Sequence, residues 1–167
     1  LAIARPPPFT TPPTSPSTVT MGRREPLDRL REPDVFRDVF AHVPSHAEPL
    51  FADLLQHSGQ VAAAAENEED TTKMARLFWF TVEFGLIQQA DGLRSYGSGI
   101  VSSLGESIHC LDSDAPNRIG FDLERIMCTR YRIDSYQKTY FVIDSFQQLM
   151  EATAPDFCPI YARLAAQ

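Results

Sequence analysis

The spacing of apolar residues along the chain predicts short helices over most of its length. Four apolar residues between positions 35 and 40 recur at helical spacing, so a helix is expected to begin near Pro33 and to stop at Pro44. His42 then lies in the last turn of this helix. A second amphipathic helix is predicted over residues 47–56, where leucine and phenylalanine side chains share one face.

The central helix is the most apolar part of the chain. We expect it to begin at Asp70 or Thr71, whose side chains suit a helix N-terminus, and to end at Phe84 before Gly85. Glu83 lies in this helix among aromatic and aliphatic residues. A bare buried carboxylate costs several kcal/mol unless a cation or a metal ion compensates its charge. Glu83 is therefore a candidate site residue.

The C-terminal part of the chain reads as further short helices around a little β-structure. Residues 140–143 form a clear strand pattern, and residues 93–101 are glycine-rich and partly extended. The other predicted helices span 103–111, 121–129, 145–152 and 157–166. The predicted fold class is mainly α with a small β element.

Composition and charge limit the class of partner. The net charge of -7 and the isoelectric point near 5.0 argue against nucleic acid and against an anionic membrane surface, and no apolar run is long enough to span a membrane. The three cysteines are widely spaced without a CxxC motif, which predicts reduced thiols in the cytoplasm. Cys110 and Cys128 lie in apolar helical contexts and are expected in the core.

The first 20 residues differ in composition from the rest. They contain six prolines, many serines and threonines and one charged residue, Arg5. Such a segment buries too little apolar surface to fold, so residues 1–20 are predicted to be disordered and residues 21–167 to form the domain.

His42 and Glu83 could supply two ligands of a non-haem Fe(II) site. Such a site uses two imidazoles and one carboxylate on one side of the metal and leaves the other side open. On spacing alone, the alternative of a buried structural histidine and a salt-bridged glutamate is favoured.

A resemblance to a known protein family favours the iron site over this structural alternative. It is carried by a collinear set of motifs that runs from about residue 23 to the end of the chain. These are Glu32-Pro33-Asp34-Val35-Phe36, His42-Val43-Pro44, Phe78-Trp79-Phe80-Thr81-Val82-Glu83-Phe84-Gly85-Leu86, Tyr96-Gly97-Ser98-Gly99-Ile100-Val101-Ser102-Ser103, Gly105-Glu106, Tyr131-Arg132-Ile133-Asp134-Ser135-Tyr136-Gln137 and residues 139–146. Together they resemble the catalytic domain of the pterin-dependent aromatic amino acid hydroxylases, and most closely the bacterial phenylalanine 4-monooxygenases.

The resemblance implies a mainly helical basket with a deep iron site, of which this chain carries the C-terminal part. It implies hydroxylation of L-phenylalanine to L-tyrosine by O₂, with Fe(II) and a tetrahydrobiopterin or tetrahydromonapterin-type pterin. A cytoplasmic monomer is expected.

The resemblance also implies roles for individual residues. The iron ligands are His42 and Glu83, the amino acid pocket is lined by Trp79, Gly99, Ser102 and Ser103 with Pro33 nearby, and the pterin lies near Asp38 and Phe78. A glycine-rich turn allows backbone to approach a ligand, and an indole forms a flat wall for a phenyl ring. The serines could bind a carboxylate, or they could cap the helix that begins at Leu104.

The chain departs from the family where the third iron ligand is expected. The first histidine of the family's iron motif is replaced by Arg37, which has no lone pair to donate to a metal. We hypothesise that Arg37 forms an ion pair with Glu83 in place of the metal. Rescue by His46 is disfavoured because Pro44 intervenes.

Two readings of function follow from this departure. One is a hydroxylase. The other is an impaired homologue or relic that binds amino acid or pterin without turnover, with Arg37 occupying the iron site. A purely structural or regulatory partner is a third class, which no sequence feature favours. The family's pterin-stacking aromatic and its carboxylate-binding arginine also lack clear counterparts. No aromatic residue occurs between Phe9 and Phe36, and the arginine position aligns with Gly22, or with Arg23 or Arg24 after a small shift.

Overall fold

The structure is a computed structural model that describes residues 49–63 and 67–166, together with Val39, His42, Val43, Ala47 and Ala65. The predictions made for residues 1–38, which include disorder over 1–20 and roles for Pro33, Arg37 and Asp38, lie outside this part of the chain. The backbone at Val39, His42 and Val43 is helical.

Helices dominate the described residues, as the sequence predicted. They are α1 (Pro49–Ala63), α2 (Glu68–Phe78), a π-helical turn (Trp79–Glu83), α3 (Ser98–Val101), α4 (Leu104–Asp112), α5 (Leu123–Cys128), α6 (Phe146–Thr153) and α7 (Cys158–Ala165). Four strands accompany them, namely β1 (Leu86–Gln89), β2 (Gly92–Ser95), β3 (Asn117–Gly120) and β4 (Thr139–Ile143). The fold class, mainly α with a small β element, is confirmed.

The four strands form one sheet in the order β2-β1-β4-β3. β1 and β2 form an antiparallel hairpin, and β4 pairs in parallel with both β1 and β3. Gly92 adopts a φ of 125° at the hairpin turn, a conformation that favours glycine. β4 is central and its side chains at Tyr140, Phe141 and Ile143 are buried, which explains why its continuous apolar pattern was recognisable in the sequence. The other three strands are short and carry exposed polar residues, so β1 and β3 were not recognised and β2 was predicted only as part of the extended segment 93–101.

Three apolar clusters form the core of the described residues. The first lies between α2, α5, α7 and the sheet, around Leu77, Phe80 and Phe141. The second joins α1, β4 and α6 around Phe51 and Leu149. The third joins β1, β4, α3 and α4 around residues Phe84, Leu86, Ile100, Cys110 and Tyr140. The π-helical turn contributes Phe80 to the first cluster and Val82 to the second, and so connects them.

Several predicted boundaries are corrected. The N-cap of α2 is Asn67, not Asp70 or Thr71, because the Asn67 side chain accepts a hydrogen bond from the Asp70 N–H at 2.9 Å. α1 continues to Ala63, beyond the expected end at Gln56.

The predicted position of one cysteine in the core is also wrong. Cys110 is fully buried, as expected, whereas Cys128 is exposed at the end of α5. No helix among the described residues has the length and apolar character needed to cross a membrane.

Candidate functional site

The central helix changes character before it reaches Glu83. It was expected to continue as one helix to Phe84, but α2 ends at Phe78 and the next five residues form the π-helical turn. The Thr81 hydroxyl donates to the Leu77 carbonyl at 2.6 Å, and the Phe84 N–H closes the turn on the Trp79 carbonyl at 2.8 Å. Such turns insert a residue into the helical repeat and are frequent at functional sites.

Glu83 ends the π-helical turn with 13% of its side chain exposed. Its two carboxylate oxygens contact different residues. Ser98 Oγ donates to Oε2 at 2.9 Å, and His42 Nε2 lies 3.5 Å from Oε1. The structure therefore brings together the two residues that the sequence analysis assigned to iron. Bonds of roughly 2.1 Å at right angles would place two donor atoms of one metal about 3 Å apart, which is close to this spacing.

The third ligand of a facial triad is not found in the part of the chain that the structure describes. Within it, no group of three histidine, cysteine, aspartate or glutamate side chains is arranged to hold a metal ion. The residues that the structure describes therefore supply two ligands of an iron site and not three.

Glycines bring the segment before α3 against Glu83. A Cβ added at Gly97 would lie 2.4 Å from the Glu83 carbonyl oxygen, and one added at Gly99 would lie 2.9 Å from the Phe84 ring. Neither position has room for a side chain. The sequence analysis expected this turn to approach a ligand closely, whereas the close approach in the structure is to the backbone of the π-helical turn. It is this approach that brings the Ser98 hydroxyl to the carboxylate.

Trp79 lies in an aromatic stack. Phe84 stacks on the indole at 4.9 Å between ring centroids with an interplanar angle of 22°, and Tyr131 stacks on it at 4.3 Å and 16°. The indole Nε1 is buried and has no hydrogen-bond partner among the described residues. Gly99 lies against the Phe84 ring of this stack. The structure therefore brings Trp79 and Gly99 together, two of the residues that were predicted to line the amino acid pocket.

The two predicted pocket serines are buried next to this stack. The Ser102 hydroxyl donates to the Gly99 carbonyl at 3.3 Å, and Ser103 caps α4 by accepting a hydrogen bond from the Glu106 N–H at 3.3 Å. The capping alternative is confirmed for Ser103.

Phe78, predicted near the pterin, packs against the second apolar cluster, which contains Phe51. Trp79 packs against the first and third apolar clusters.

His57 and His109 both have structural contacts. His57 Nε2 lies 2.6 Å from the Thr153 carbonyl and joins α1 to α6. His109 Nε2 lies 3.1 Å from the Gln137 carbonyl. Both carbonyls belong to distant segments, so these histidines tie helices to the rest of the fold.

Burial suppresses ionisation beside the aromatic stack. Burial, together with the negative charge of Glu106, raises the pKa of the Cys110 thiol from 9.0 to about 12. Burial and the hydrogen bond to Glu106 also raise the pKa of Tyr140 well above its ordinary value. Cys110 is therefore favoured as a neutral, buried thiol at physiological pH.

The sequence analysis missed several residues that build this site. Ser98, Phe84 and Tyr131 all lie within motifs that carried the family resemblance. Phe84 is five residues from Trp79, but the contacts of Ser98 with Glu83 and of Tyr131 with Trp79 join residues far apart in sequence. Two further polar residues, Glu106 and Gln137, are buried behind the stack. The sequence signal that could have identified Glu106 and Gln137 was their position within the family motifs.

Comparison with known proteins settles the family. The model of the biopterin-dependent aromatic amino acid hydroxylases matches residues 23–159. The chain belongs to this family. The motifs that suggested the family from sequence lie almost entirely within this matched region, and the resemblance is confirmed.

The relatives include bacterial phenylalanine-4-hydroxylases. That of Chromobacterium violaceum is 60% identical over 149 residues, which cover 88% of this chain and 50% of the relative. That of Ralstonia nicotianae is 57% identical over 149 residues, with coverage of 89% and 48%. The crystal structure of the C. violaceum enzyme with bound iron and phenylalanine has a TM-score of 0.78 and 59% identity, and the match covers 86% of this chain and 52% of that one. The chain spans about half the length of these relatives.

Proposed function

We propose that this chain carries the iron-binding and amino acid-binding part of a phenylalanine 4-monooxygenase, which converts L-phenylalanine into L-tyrosine with O₂, Fe(II) and a tetrahydropterin. The observation that carries the proposal is the convergence of His42 and Glu83, whose Nε2 and Oε1 atoms are 3.5 Å apart. The family match and the names of its bacterial relatives support the choice of reaction. Phenylalanine is the amino acid bound in the C. violaceum structure.

In this proposal, His42 and Glu83 hold Fe(II), and the iron and the pterin together supply the oxidising chemistry when they are bound. The chain itself orients the ligands and the substrate. Ser98 holds Oε2 of Glu83 and so directs Oε1 toward His42. The substrate's phenyl group packs at the Trp79 stack, where apolar surroundings exclude water.

The remaining proposed contacts follow the family motifs. Gly99, Ser102 and Ser103 would lie along the amino acid, with Pro33 nearby, and Asp38 and Phe78 would lie near the pterin. The burial of both serines supports a pocket at this place. The pterin in this proposal is of the tetrahydrobiopterin or tetrahydromonapterin type.

Arg37 favours a second candidate function. A guanidinium cannot ligate iron, so the site would have one imidazole and one carboxylate, and iron binding would weaken. The second candidate is an impaired homologue that binds amino acid or pterin without turnover. In it, the positive charge of Arg37 takes the place of the metal ion beside Glu83.

Tyrosine formation distinguishes the two candidates. The chain is supplied with L-phenylalanine, Fe(II), tetrahydropterin and O₂, and compared with Arg37→His. Turnover by the unaltered chain supports the hydroxylase and requires a replacement ligand. Turnover by Arg37→His alone supports the impaired homologue, because one residue then controls the chemistry. If neither protein forms tyrosine, this chain is not sufficient for the reaction.

Metal binding tests the ligands without requiring activity. We expect Fe(II) or Co(II), used as a spectroscopic probe, to bind Arg37→His more tightly than the unaltered chain. Glu83→Gln in the Arg37→His background should abolish this gain, because an amide oxygen is a weaker ligand than a carboxylate. Glu151→Gln is the matched control, since Glu151 is exposed on α6. Equal metal affinity in all four proteins would contradict the assignment.

Arg37→Ala tests the hypothetical ion pair. If Arg37 compensates the charge of Glu83, removing it should destabilise the fold by about 3 kcal/mol, because a partly buried carboxylate loses its counterion. Unchanged stability and unchanged ionisation of Glu83 would exclude the pair.

A further inference from the structure

The loop between α5 and β4, residues 129–138, forms one wall of the aromatic site. It borders a cleft of about 470 Å³ that is lined by residues 130–134, 137–139 and Phe80. Tyr131 projects from this loop onto Trp79. The loop contains no regular helix or strand that would hold it in place, so other contacts must determine where Tyr131 lies.

Gln137 supplies those contacts within the loop. Its side chain is almost completely buried, with 2% of the residue exposed. Its Nε2 donates to the Arg132 carbonyl at 2.5 Å, and its Oε1 accepts from the Arg132 N–H at 3.1 Å. Both backbone hydrogen-bonding groups of Arg132 are therefore held by one side-chain amide. Because Arg132 directly follows Tyr131, the amide fixes the backbone next to the stacking ring.

Two side chains of α4 hold Gln137 in turn. The Gln137 N–H donates to Glu106 Oε1 at 3.0 Å, and its carbonyl accepts from His109 Nε2 at 3.1 Å. His109 also stacks on Tyr136 at 5.0 Å between ring centroids. Glu106 and His109 are three residues apart, so they lie on one face of α4.

Glu106 connects this arrangement to the serines. Its N–H is capped by Ser103, and its Oε1 accepts a hydrogen bond from the hydroxyl of Tyr140 as well as from Gln137. A glutamate three residues after a serine N-cap commonly bonds back to the cap. Here the Glu106 carboxylate instead bonds to the next segment of the fold. A continuous chain of contacts thus runs from Ser103 to Tyr131.

We infer that Gln137 is a positioning residue for the amino acid site, which holds Tyr131 against Trp79 and couples this aromatic wall to Ser103. The part of the inference that concerns phenylalanine rests on the proposed function. Because hydrogen bonds are directional, the two bonds from the Gln137 side-chain amide to the Arg132 backbone select one shape of the loop.

Trp79 is the only tryptophan in the chain, so its fluorescence reports on this wall directly. The test compares Gln137→Met with Gln148→Met. Methionine keeps the length of glutamine and removes its hydrogen bonds. Gln148 is a matched control because its Oε1 also accepts from a loop backbone N–H, that of Asp144, at 2.8 Å, and α6 makes no ring contact with Trp79.

The first readout needs no ligand. We expect Gln137→Met to increase acrylamide quenching of Trp79 about twofold and to weaken near-ultraviolet circular dichroism, because Tyr131 leaves the stack. Gln148→Met should leave both unchanged. Equal quenching in the two folded variants would overturn the inference. If Gln137→Met does not fold, Gln137→Asn decides, because its amide is one methylene too short to reach both groups of Arg132.

The second readout is the affinity for L-phenylalanine, measured by titration of Trp79 fluorescence. Gln137→Met, which lacks the hydrogen bonds to Arg132, should raise the Kd about tenfold, which corresponds to about 1.4 kcal/mol. Gln148→Met should bind phenylalanine as the unaltered chain does. An unchanged Kd with a disturbed Trp79 would exclude the role in binding. If the unaltered chain binds no phenylalanine, the proposed function fails for this chain, while the quenching experiment still tests the position of Tyr131.

Discussion

Two buried tyrosines show two ways in which this fold supports its site. Tyr96 packs with Phe51 and Phe146 in a triangle of edge-to-face contacts, with centroid distances of 5.1 to 6.2 Å, and its buried hydroxyl has no partner among the described residues. Tyr140 lies in β4 and donates its hydroxyl to Glu106. We call the first region the aromatic triangle and the second, formed by Glu106, Gln137 and Tyr140, the polar clamp.

The aromatic triangle and the polar clamp have different roles in the fold. The Tyr96 ring lies directly against Gly85, where an added Cβ would be 2.2 Å from its Cζ atom, so the aromatic triangle supports the backbone that follows Glu83. Apolar burial of this kind contributes stability without direction of its own, and the rings add only a preference for edge-to-face contact. The polar clamp reaches the loop of Tyr131 through hydrogen bonds, which are directional and determine a particular loop shape. We therefore expect the triangle to control stability and the clamp to control the geometry at Trp79.

The largest expected effect is that of Phe51→Ala in the aromatic triangle. Phe51 is 4% exposed, and truncation of a buried phenylalanine costs about 4 kcal/mol through lost burial and the cavity that remains. Urea denaturation followed by circular dichroism measures the loss. The quenching of Trp79 in the folded variant should stay as in the unaltered chain. A loss below about 1 kcal/mol, or an altered Trp79, would remove the distinction between the two regions.

Gly97→Ala should have the next largest effect, because Gly97 directly follows Tyr96 of the aromatic triangle and lies against the backbone of Glu83 and Gly85. Its added Cβ would lie 2.4 Å from the Glu83 carbonyl oxygen and 2.6 Å from the Gly85 nitrogen, and both are backbone atoms. We expect a loss of about 3 kcal/mol from the forced backbone shift. Gly120→Ala is the control, because nothing lies within 4 Å of its Cβ position. Similar unfolding midpoints for the two variants would contradict this account of the turn.

The same substitution in the two tyrosines should have opposite effects. Tyr96→Phe removes a buried hydroxyl without a partner and should stabilise the fold by about 1 kcal/mol, whereas Tyr140→Phe removes a hydrogen bond to Glu106 and should destabilise it by about 1 kcal/mol. Thermal unfolding of both variants shows whether each substitution raises or lowers the stability of the fold. If Tyr96→Phe proves destabilising, its hydroxyl has a partner and the triangle is not purely apolar.

The smallest expected effect near neutral pH is the contribution that the neutral side chains of Cys110 and Tyr140 make to the free energy of unfolding. The pKa of Cys110 is raised from 9.0 to about 12, and that of Tyr140 is also raised, so the folded state favours both neutral forms. Their contribution to stability is complete below pH 9.0 and is lost as the pH rises toward 12, because the unfolded chain ionises first. Unfolding free energies measured across this range should fall, and less steeply in Cys110→Ala.

Thiol reactivity offers an independent check of that prediction. At mildly alkaline pH, a disulfide reagent should modify the exposed Cys128 and Cys158 rapidly and Cys110 only after unfolding. Three equally fast thiols would show that Cys110 is accessible, and the predicted pH dependence would then lose its physical basis.

The sequence analysis predicted most helices but few of the strands. α4, α6 and α7 were placed within one or two residues, because their apolar periodicity is clear and because α4 and α6 begin after serine N-caps. β1 and β3 were missed, because four-residue strands with polar ends carry too little pattern. The π-helical turn was missed for a different reason, since residues 79–83 have ordinary helical composition and the extra residue in the turn is visible only in the hydrogen bonds.

The sequence by itself determined the family, the fold class and the pairing of His42 with Glu83, because these depend on motifs whose order along the chain survives in the primary structure. It also identified Arg37 as a residue that cannot bind iron, which follows from the chemistry of the guanidinium alone. Only the tertiary structure decided that Ser98 holds Glu83, that Tyr131 stacks on Trp79 and that Gln137 holds Tyr131 in place. The Ser98–Glu83 and Tyr131–Trp79 contacts join residues 15 and 52 positions apart, whereas Gln137 and Arg132 lie five positions apart in one loop. Hydrogen-bond direction and ring orientation are properties of packing that no local pattern encodes.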